Sequence, residues 1–331
     1  MVSSVRVGTS GWNYPSGKGT WNGVFYPKPR PKGFDELAFY AEHFDTVEVN
    51  STFYGQPRAE VCRAWAERTP PSFDFAVKLY QKFTHPTMYR ERVAKQPELD
   101  AAAVAAIAQP NEADLDEFRR GIDPIASAGK LGALLAQFPA SFKCDPRTSE
   151  SLTGLLRAFA GYPVAVELRH ASWSDQLADT LALLNDHGAA WVQIDEPKFR
   201  FSIHQNFLPN IKSFYYMRLH GRNAAQWWRH EKAEDRYNYL YAAGELQEFS
   251  DTLGAARQLV KKSYLFTNNH YSAKSVANAA MIKKQLGEPL DGEYTEEFAG
   301  RYPEIAGAIR VRTSAESRRH ARVAKERPLL R

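Results

Sequence analysis

Charged and amide side chains recur inside short apolar stretches of this chain, where their burial needs a reason. Glu48 and Asn50 alternate with Val47 and Val49, and Glu167 and Arg169 alternate with Val166 and Leu168. Lys78, Gln137, Gln193 with Asp195, Arg218 with His220, and Asn268, Asn269 and His270 stand at the ends of comparable stretches. A buried ion is costly unless it is paired or faces a cavity. Brought together, these residues offer anion recognition through Lys78, Arg169, Arg218 and Arg222, with Glu48, Glu167 or His220 as general acid or base. The bland alternative is a salt-bridge network in which Glu48, Glu167 and Asp195 neutralise Lys78, Arg169 and Arg218. Desolvation offsets most of what such pairing returns, so stability alone explains it poorly.

Two further segments carry local signals. In FTNNHYSAKSVANAAMIKKQL a strand pattern runs into a helix pattern, with Ser272, Lys274 and Ser275 near the first turn. Free backbone N–H groups there, with Lys274, could hold a phosphate or carboxylate. Helix capping by Ser272 is the ordinary alternative. GRNAAQWWRHEKAEDRYNYLY interleaves Trp227, Trp228, Tyr237, Tyr239 and Tyr241 with charges of both signs. Such aromatics can stack a base or a sugar, or simply pack the loop.

The elements that must position these residues read as an α/β fold. Strands are predicted at Val5–Ser10, Thr46–Thr52, Phe73–Lys78, Gly132–Phe138, Val164–His170, Ala190–Asp195, Phe214–His220 and Ser263–Asn269, with helix-like segments between them. Eight strands joined by crossovers predict a TIM-type (β/α)8 barrel over residues 1–311. The polar parity of each strand is expected in the lumen, converging at the C-terminal mouth. His85–Pro110, with its Ala-rich run AAAVAAIA, is a long insertion after the third strand, read as adding a helix over the rim. Gly221–Leu246 is another after the seventh. A doubly wound open sheet is the competing fold, but VGTSGW supplies neither GxGxxG nor a Walker sequence.

With 331 residues and 44% hydrophobic content the chain can bury such a core. The net charge of +5 is local to the C-terminus. Residues 312–331 hold seven Lys or Arg against Glu316 and Glu326, leaving the rest formally neutral. A basic, apolar-poor tail is expected to be solvated or disordered, with weak RNA or DNA contact as the alternative. No run is long and apolar enough for a membrane span, and MVSSVRVGTSGW lacks an apolar signal core, so a cytoplasmic location is expected. Cys62 and Cys144 have neither a CxxC spacing nor disulfide density and are expected to be reduced.

The segments VGTSGWNYPSGKGTWNGVFYP, FDTVEVNSTFYGQP, FDFAVKLYQKFTH, LLAQFPASF, AVELRHASW, RLHGRN and LFTNNHYSAKSVANA, spread over residues 5–290, resemble the family called domain of unknown function 72, the YecE-like proteins. The resemblance implies a TIM-type barrel and brings no established reaction. It sets Trp12, Tyr14, Glu48, Asn50, Lys78, Gln137, Glu167, Arg169, His220, Arg222, Asn269 and His270 in shared motif segments. The basic tail and the His85–Pro110 stretch depart from the family pattern.

Three functions compete. The first is an enzyme acting on a small anionic or zwitterionic substrate bearing phosphate or carboxylate, with no cofactor. Its candidate catalytic residues are Glu48, Glu167 and His220. Substrate would contact Trp12, Tyr14, Asn50, Lys78, Gln137, Arg169, Asp195, Arg218, Arg222, Asn269, His270 and Lys274. The second is a metal-dependent hydrolase or isomerase, with a nuclease-like phosphodiesterase as one form, using a divalent ion on Glu48, Glu167, Asp195, His220 and His270. No HExxH or close-spaced ligand cluster supports it. The third is a nucleic-acid or ligand-binding module built on the tryptophan segment and tail.

Overall fold

A computed structural model of the chain describes residues 4–205 and 213–312, so residues 313–331 of the basic tail lie outside the described residues. Nine parallel strand segments make one sheet: β1 (Ser4–Ser10), β2 (Thr46–Val49), β3 (Asp74–Lys78), β4 (Leu131–Gln137), β5 (Val164–Glu167), β6 (Ala190–Trp191), β7 (Gln193–Asp195), β8 (Tyr215–Leu219) and β9 (Lys262–Thr267). Their order is β6-β5-β4-β3-β2-β1-β9-β8-β7. The two ends of that order, β6 and β7, are separated in sequence by Val192 alone. They are halves of the sixth expected strand, so the sheet comes round on itself as a (β/α)8 barrel. Val192 still bonds to β5, its N–H donating to the Val166 carbonyl at 2.9 Å, before the chain turns to pair with β8.

The strands are shorter at their C-terminal ends than the apolar pattern suggests. β2 stops at Val49, and Ser51–Phe53 forms a 3-10 turn, while β5 stops at Glu167 and Ala171–Asp175 is helical. The polar ends expected inside strands therefore belong largely to the βα turns. Crossover helices such as Glu112–Ser127 and Pro146–Ala158 begin on capping boxes set by Asn111 and Asp145. The apolar parity of the strands packs against them, with Val47, Val77, Leu134 and Val166 all fully buried.

The first insertion holds the helices Pro86–Val93 and Ala101–Ala108. The second contains 3-10 turns at Ala224–Gln226 and Ala233–Tyr237. Helix capping by Ser272 is not what forms. The last crossover helix, Lys274–Gln285, starts after Ala273 without a side-chain cap. Ser272 and Ala273 both take positive φ, and the Ser272 hydroxyl points to the Lys18 carbonyl at 3.4 Å. Cys62 and Cys144 are both free thiols. Among the described residues no helix is long and apolar enough to cross a membrane.

Candidate functional site

Register fixes which side chains share the lumen. Ser10 stands beside Glu48, Gln137 beside Glu167, and Ile194 beside Arg218. Neighbouring Cα partners in a parallel sheet point the same way. Ser10, Glu48, Lys78, Gln137, Glu167 and Arg218 thus share the lumen face near the C-terminal mouth, termed the lumen layer, and Asn50, Arg169 and His220 continue it outward.

Arg218 is the centre of the layer, 2% exposed. Its Nε and Nη2 donate to Glu48 Oε2 and Oε1 at 2.8 and 2.6 Å, and its Nη1 donates to Glu167. Glu48 also accepts from Ser10 and Tyr216 at 2.7 Å each and from Asn50 at 3.3 Å. Glu167 is held on its other side by Arg169, at 2.7 Å from Nε. Burial pushes both carboxyls up, but the Arg218 charge and these hydrogen bonds outweigh it, leaving Glu48 below and Glu167 well below the usual range. Both are fixed, saturated carboxylates.

His220 is fully buried, and Asn268 Nδ2 donates to its Nδ1 at 2.9 Å. Its Nε2 lies 3.4 Å from Glu167 Oε1 and 3.3 Å from the Arg169 Nη2 donor. Burial, with Arg218 and Arg169 beside it, takes its pKa down to about 3 against the pull of Glu167. The imidazole is neutral at physiological pH.

Lys78 differs from its neighbours. Its Nζ donates to Gln137 Oε1 at 2.7 Å and lies 4.1 Å from the centre of the Phe53 ring. Among the described residues no carboxylate lies within ion-pair distance of it, because Arg218 and Arg169 have claimed Glu48 and Glu167. Burial, reinforced by the Arg218 charge, lowers the amine to about 7. The expected pairing of Lys78 with a lumen carboxylate does not form.

Other candidates lie elsewhere. Gln193 and Asp195 share a face with Met217 and Leu219, opposite to Arg218, so they point out of the lumen. The polar-parity argument fails on this strand because its lumen positions are Val192 and Ile194. Asp195 instead chelates Arg222, at 2.9 and 3.0 Å, and accepts from Tyr241 at 2.7 Å. Glu245 and Glu248 occupy the rest of Arg222. Asn269 also lies outside the lumen layer, donating to the Tyr239 carbonyl and to Asn278, both at 2.7 Å. Lys274 donates to Asn238 at 2.5 Å, and Trp12 packs edge-on against Trp65. Tyr14 and His270 stack at 4.2 Å on the rim, with Tyr237 next to His270 at 4.8 Å.

Three residues missed from sequence belong to the mouth. Glu196 is buried in ion-pair contact with Arg169 Nη1 at 3.1 Å, and burial raises its carboxyl despite Arg169. Its signal was a second acid directly after Asp195 at a strand end. His85, in the FTH run after β3, bonds Thr84 Oγ1 at 2.9 Å, and burial with Lys78 and Arg169 nearby lowers it to about 3. Arg236 lies 5.3 Å from the Trp227 ring, which in turn neighbours His220 at 6.5 Å. Arg236 has no carboxylate partner among the described residues, and only the aromatic pattern marked its segment.

No group of three or more His, Cys, Asp or Glu among the described residues is arranged to hold a metal ion. Glu48 and Glu167 turn their oxygens to guanidinium groups, while Asp195 lies outside the lumen. A cavity of about 660 Å³ lies on the outer wall, lined by Asp195, Met217, Arg222 and Phe249 among others, away from the lumen layer.

The profile of the family described as "Protein of unknown function DUF72" matches residues 6–298. The UPF0759 protein YunF of Bacillus subtilis (strain 168) is 26% identical over 302 residues, which cover 88% of this chain and 96% of that protein. A DUF72 family protein from Thermotoga maritima MSB8, solved by crystallography, is 32% identical with a TM-score of 0.68, covering 86% of this chain and 99% of its own. A second, from Enterococcus faecalis V583, has a TM-score of 0.70 at 24% identity over 87% of this chain and 97% of its own.

Proposed function

This chain belongs to the DUF72 family, and for its barrel we propose an enzyme that performs proton transfer on a small polar substrate bearing a carboxylate or phosphate at the C-terminal mouth. The observation that carries this reading is the contrast between Lys78 and the network around it. Arg218 and Arg169 together neutralise Glu48 and Glu167, whereas Lys78 keeps an amine with no carboxylate at ion-pair distance among the described residues. A network of saturated ions is a poor stability device but a rigid frame for one group poised near neutral pH. Glu196 is pushed the other way, its carboxyl raised by burial. A base lowered and an acid raised within one polar mouth is the pairing that acid–base catalysis uses. In this reading Glu48, Glu167 and His220 act through Arg218 and Arg169 as positioning residues. Arg236, at the rim, meets the anionic end of the substrate.

Calorimetric titration with inorganic phosphate and with malonate tests the proposal. Binding is expected at pH 6.5, weaker as salt rises, weaker again as pH climbs past about 7 and Lys78 loses its charge. Arg236→Gln is expected to lower affinity about tenfold, a loss of ~1.4 kcal/mol. Absence of binding by either anion, or full affinity in Arg236→Gln, overturns the reading.

One observation favours a second reading, a module that binds single-stranded nucleic acid. Phe199 and Phe201 stack at 5.5 Å, and Trp228, which is 57% exposed, adjoins both rings. Exposed rings beside Arg236 suit base stacking. Trp228→Ala is then expected to weaken binding of a labelled oligonucleotide; equal affinity of the two proteins removes this reading.

A further inference from the structure

Lys78 sits where a lysine has no structural reason to be left unpaired. A lysine that merely fills space carries its ammonium out to water along its aliphatic stem. Here Nζ turns instead to a neutral amide oxygen, Gln137 Oε1, and to the Phe53 face. Thr52, one residue before Phe53, anchors that wall by donating to the Lys78 carbonyl at 2.6 Å. Both nearby lumen carboxylates are withheld from the amine by Arg218 and Arg169, and Lys78 is half-buried at the C-terminal end of β3. The amine is thus oriented by its neighbours and, among the described residues, has no carboxylate within ion-pair distance.

We propose that Lys78 is a nucleophile that forms an imine with the carbonyl carbon of a small oxo acid or oxo phosphate. The proposal rests on the reading of the mouth as a site for small anionic substrates and names their class: an aldehyde or ketone next to the anionic group. In the step, the Nζ lone pair attacks the carbonyl carbon, a C–N bond forms and the carbonyl π pair moves to oxygen. One amine proton passes to that oxygen, giving the carbinolamine. The second leaves with the hydroxyl as water while the C=N bond closes, so no oxidant, reductant or further reactant is needed. Once protonated, an imine draws electrons from the adjacent carbon and opens proton abstraction or C–C cleavage beside the former carbonyl. Like-charged Arg218 and Arg169 and the burial of the stem favour the neutral, nucleophilic amine near pH 7.

The test uses the full chain, glyoxylate as an aldehyde bearing a carboxylate, and sodium cyanoborohydride to reduce any imine. Peptide mass spectrometry after short exposure at pH 7 is expected to find one added carboxymethyl group on Lys78, at least tenfold ahead of exposed lysines such as Lys32 and Lys95. Inorganic phosphate is expected to slow the labelling, and its rate should be half-maximal near pH 7. Lys78→Arg, which keeps the charge but cannot form an imine, should lose the site-specific label. Labelling spread over surface lysines without preference for Lys78 overturns the imine. If phosphate and malonate still bind in that case, the anion site stands without it. If they do not bind, the reading of the mouth falls as well.

Discussion

Arg218 spends its guanidinium on two carboxylates from different strands, and it is nearly inaccessible to solvent. Removing it strands Glu48 as a buried uncompensated charge and leaves Arg169 as the one guanidinium on Glu167. Arg218→Met is therefore expected to cost ~3–5 kcal/mol in urea denaturation, and Arg218→Lys to recover little, because an ammonium cannot reproduce the fork. Adding Glu48→Gln and Glu167→Gln to Arg218→Met should return part of the loss; no recovery would mean the cost is packing and not charge. Lys78 makes the opposite case. Its folded pKa, about 7, lies below the model-peptide range near 10.4. Between those values the unfolded chain binds more protons than the folded one, so wild-type stability rises with pH across that window. Lys78→Met should raise Tm most at pH 6 and lose that advantage as pH rises from about 7 towards 10. A Tm difference that does not change with pH would show that the amine carries no such penalty.

At the scale of elements, alternation in the sequence identified most of the mouth, because a strand inside a barrel has one face it cannot easily fill with charge. Glu48, Lys78, Gln137, Glu167 and Arg218 all sit where that argument puts them. It misplaced Asp195, since alternation gives a parity and not a face. The face is set by register against β8, and in that sector the outer wall is itself polar, with Arg222 and Tyr241 taking the carboxylate. Glu196, His85 and Arg236 were hidden for another reason. They stand on turns and insertions with no periodicity to read, and only the three-dimensional path brings them to the mouth. The crossover layer carries its own constraint at Gly121, where an added Cβ would lie 2.2 Å from the Pro57 carbonyl oxygen. The obstacle is backbone, so helix Glu112–Ser127 must shift off its neighbour. Gly121→Ala should destabilise by about 1–3 kcal/mol in chemical denaturation despite its better helix propensity, and an unchanged midpoint would refute so tight an approach.

Across the whole molecule four buried imidazoles lean in one direction. Burial holds His43 and His270 neutral down to about 4 and His85 and His220 down to about 3, well below the free imidazole value. These four come from different parts of the fold: the first crossover, the turn after β3, the end of β8 and the segment before Lys274–Gln285. Between about pH 6.5 and 4 the unfolded chain protonates them and the folded chain does not, so acid favours unfolding. Glu48 and Glu167 act with the same sign at lower pH, because carboxyls with lowered folded values lose their stabilising charge as pH falls through that value. Each proton of difference contributes a slope of about 1.4 kcal/mol per pH unit. Urea denaturation at pH 4.5, 5.5, 6.5 and 7.5 is expected to show unfolding free energy falling steeply below 6.5, with a slope of more than one proton. A slope of less than one proton over that range would mean that the four imidazoles take up protons without unfolding the barrel. The same series on His220→Asn, which keeps a polar side chain beside Asn268 but cannot titrate, should have a visibly shallower slope, locating part of the acid sensitivity in the mouth itself.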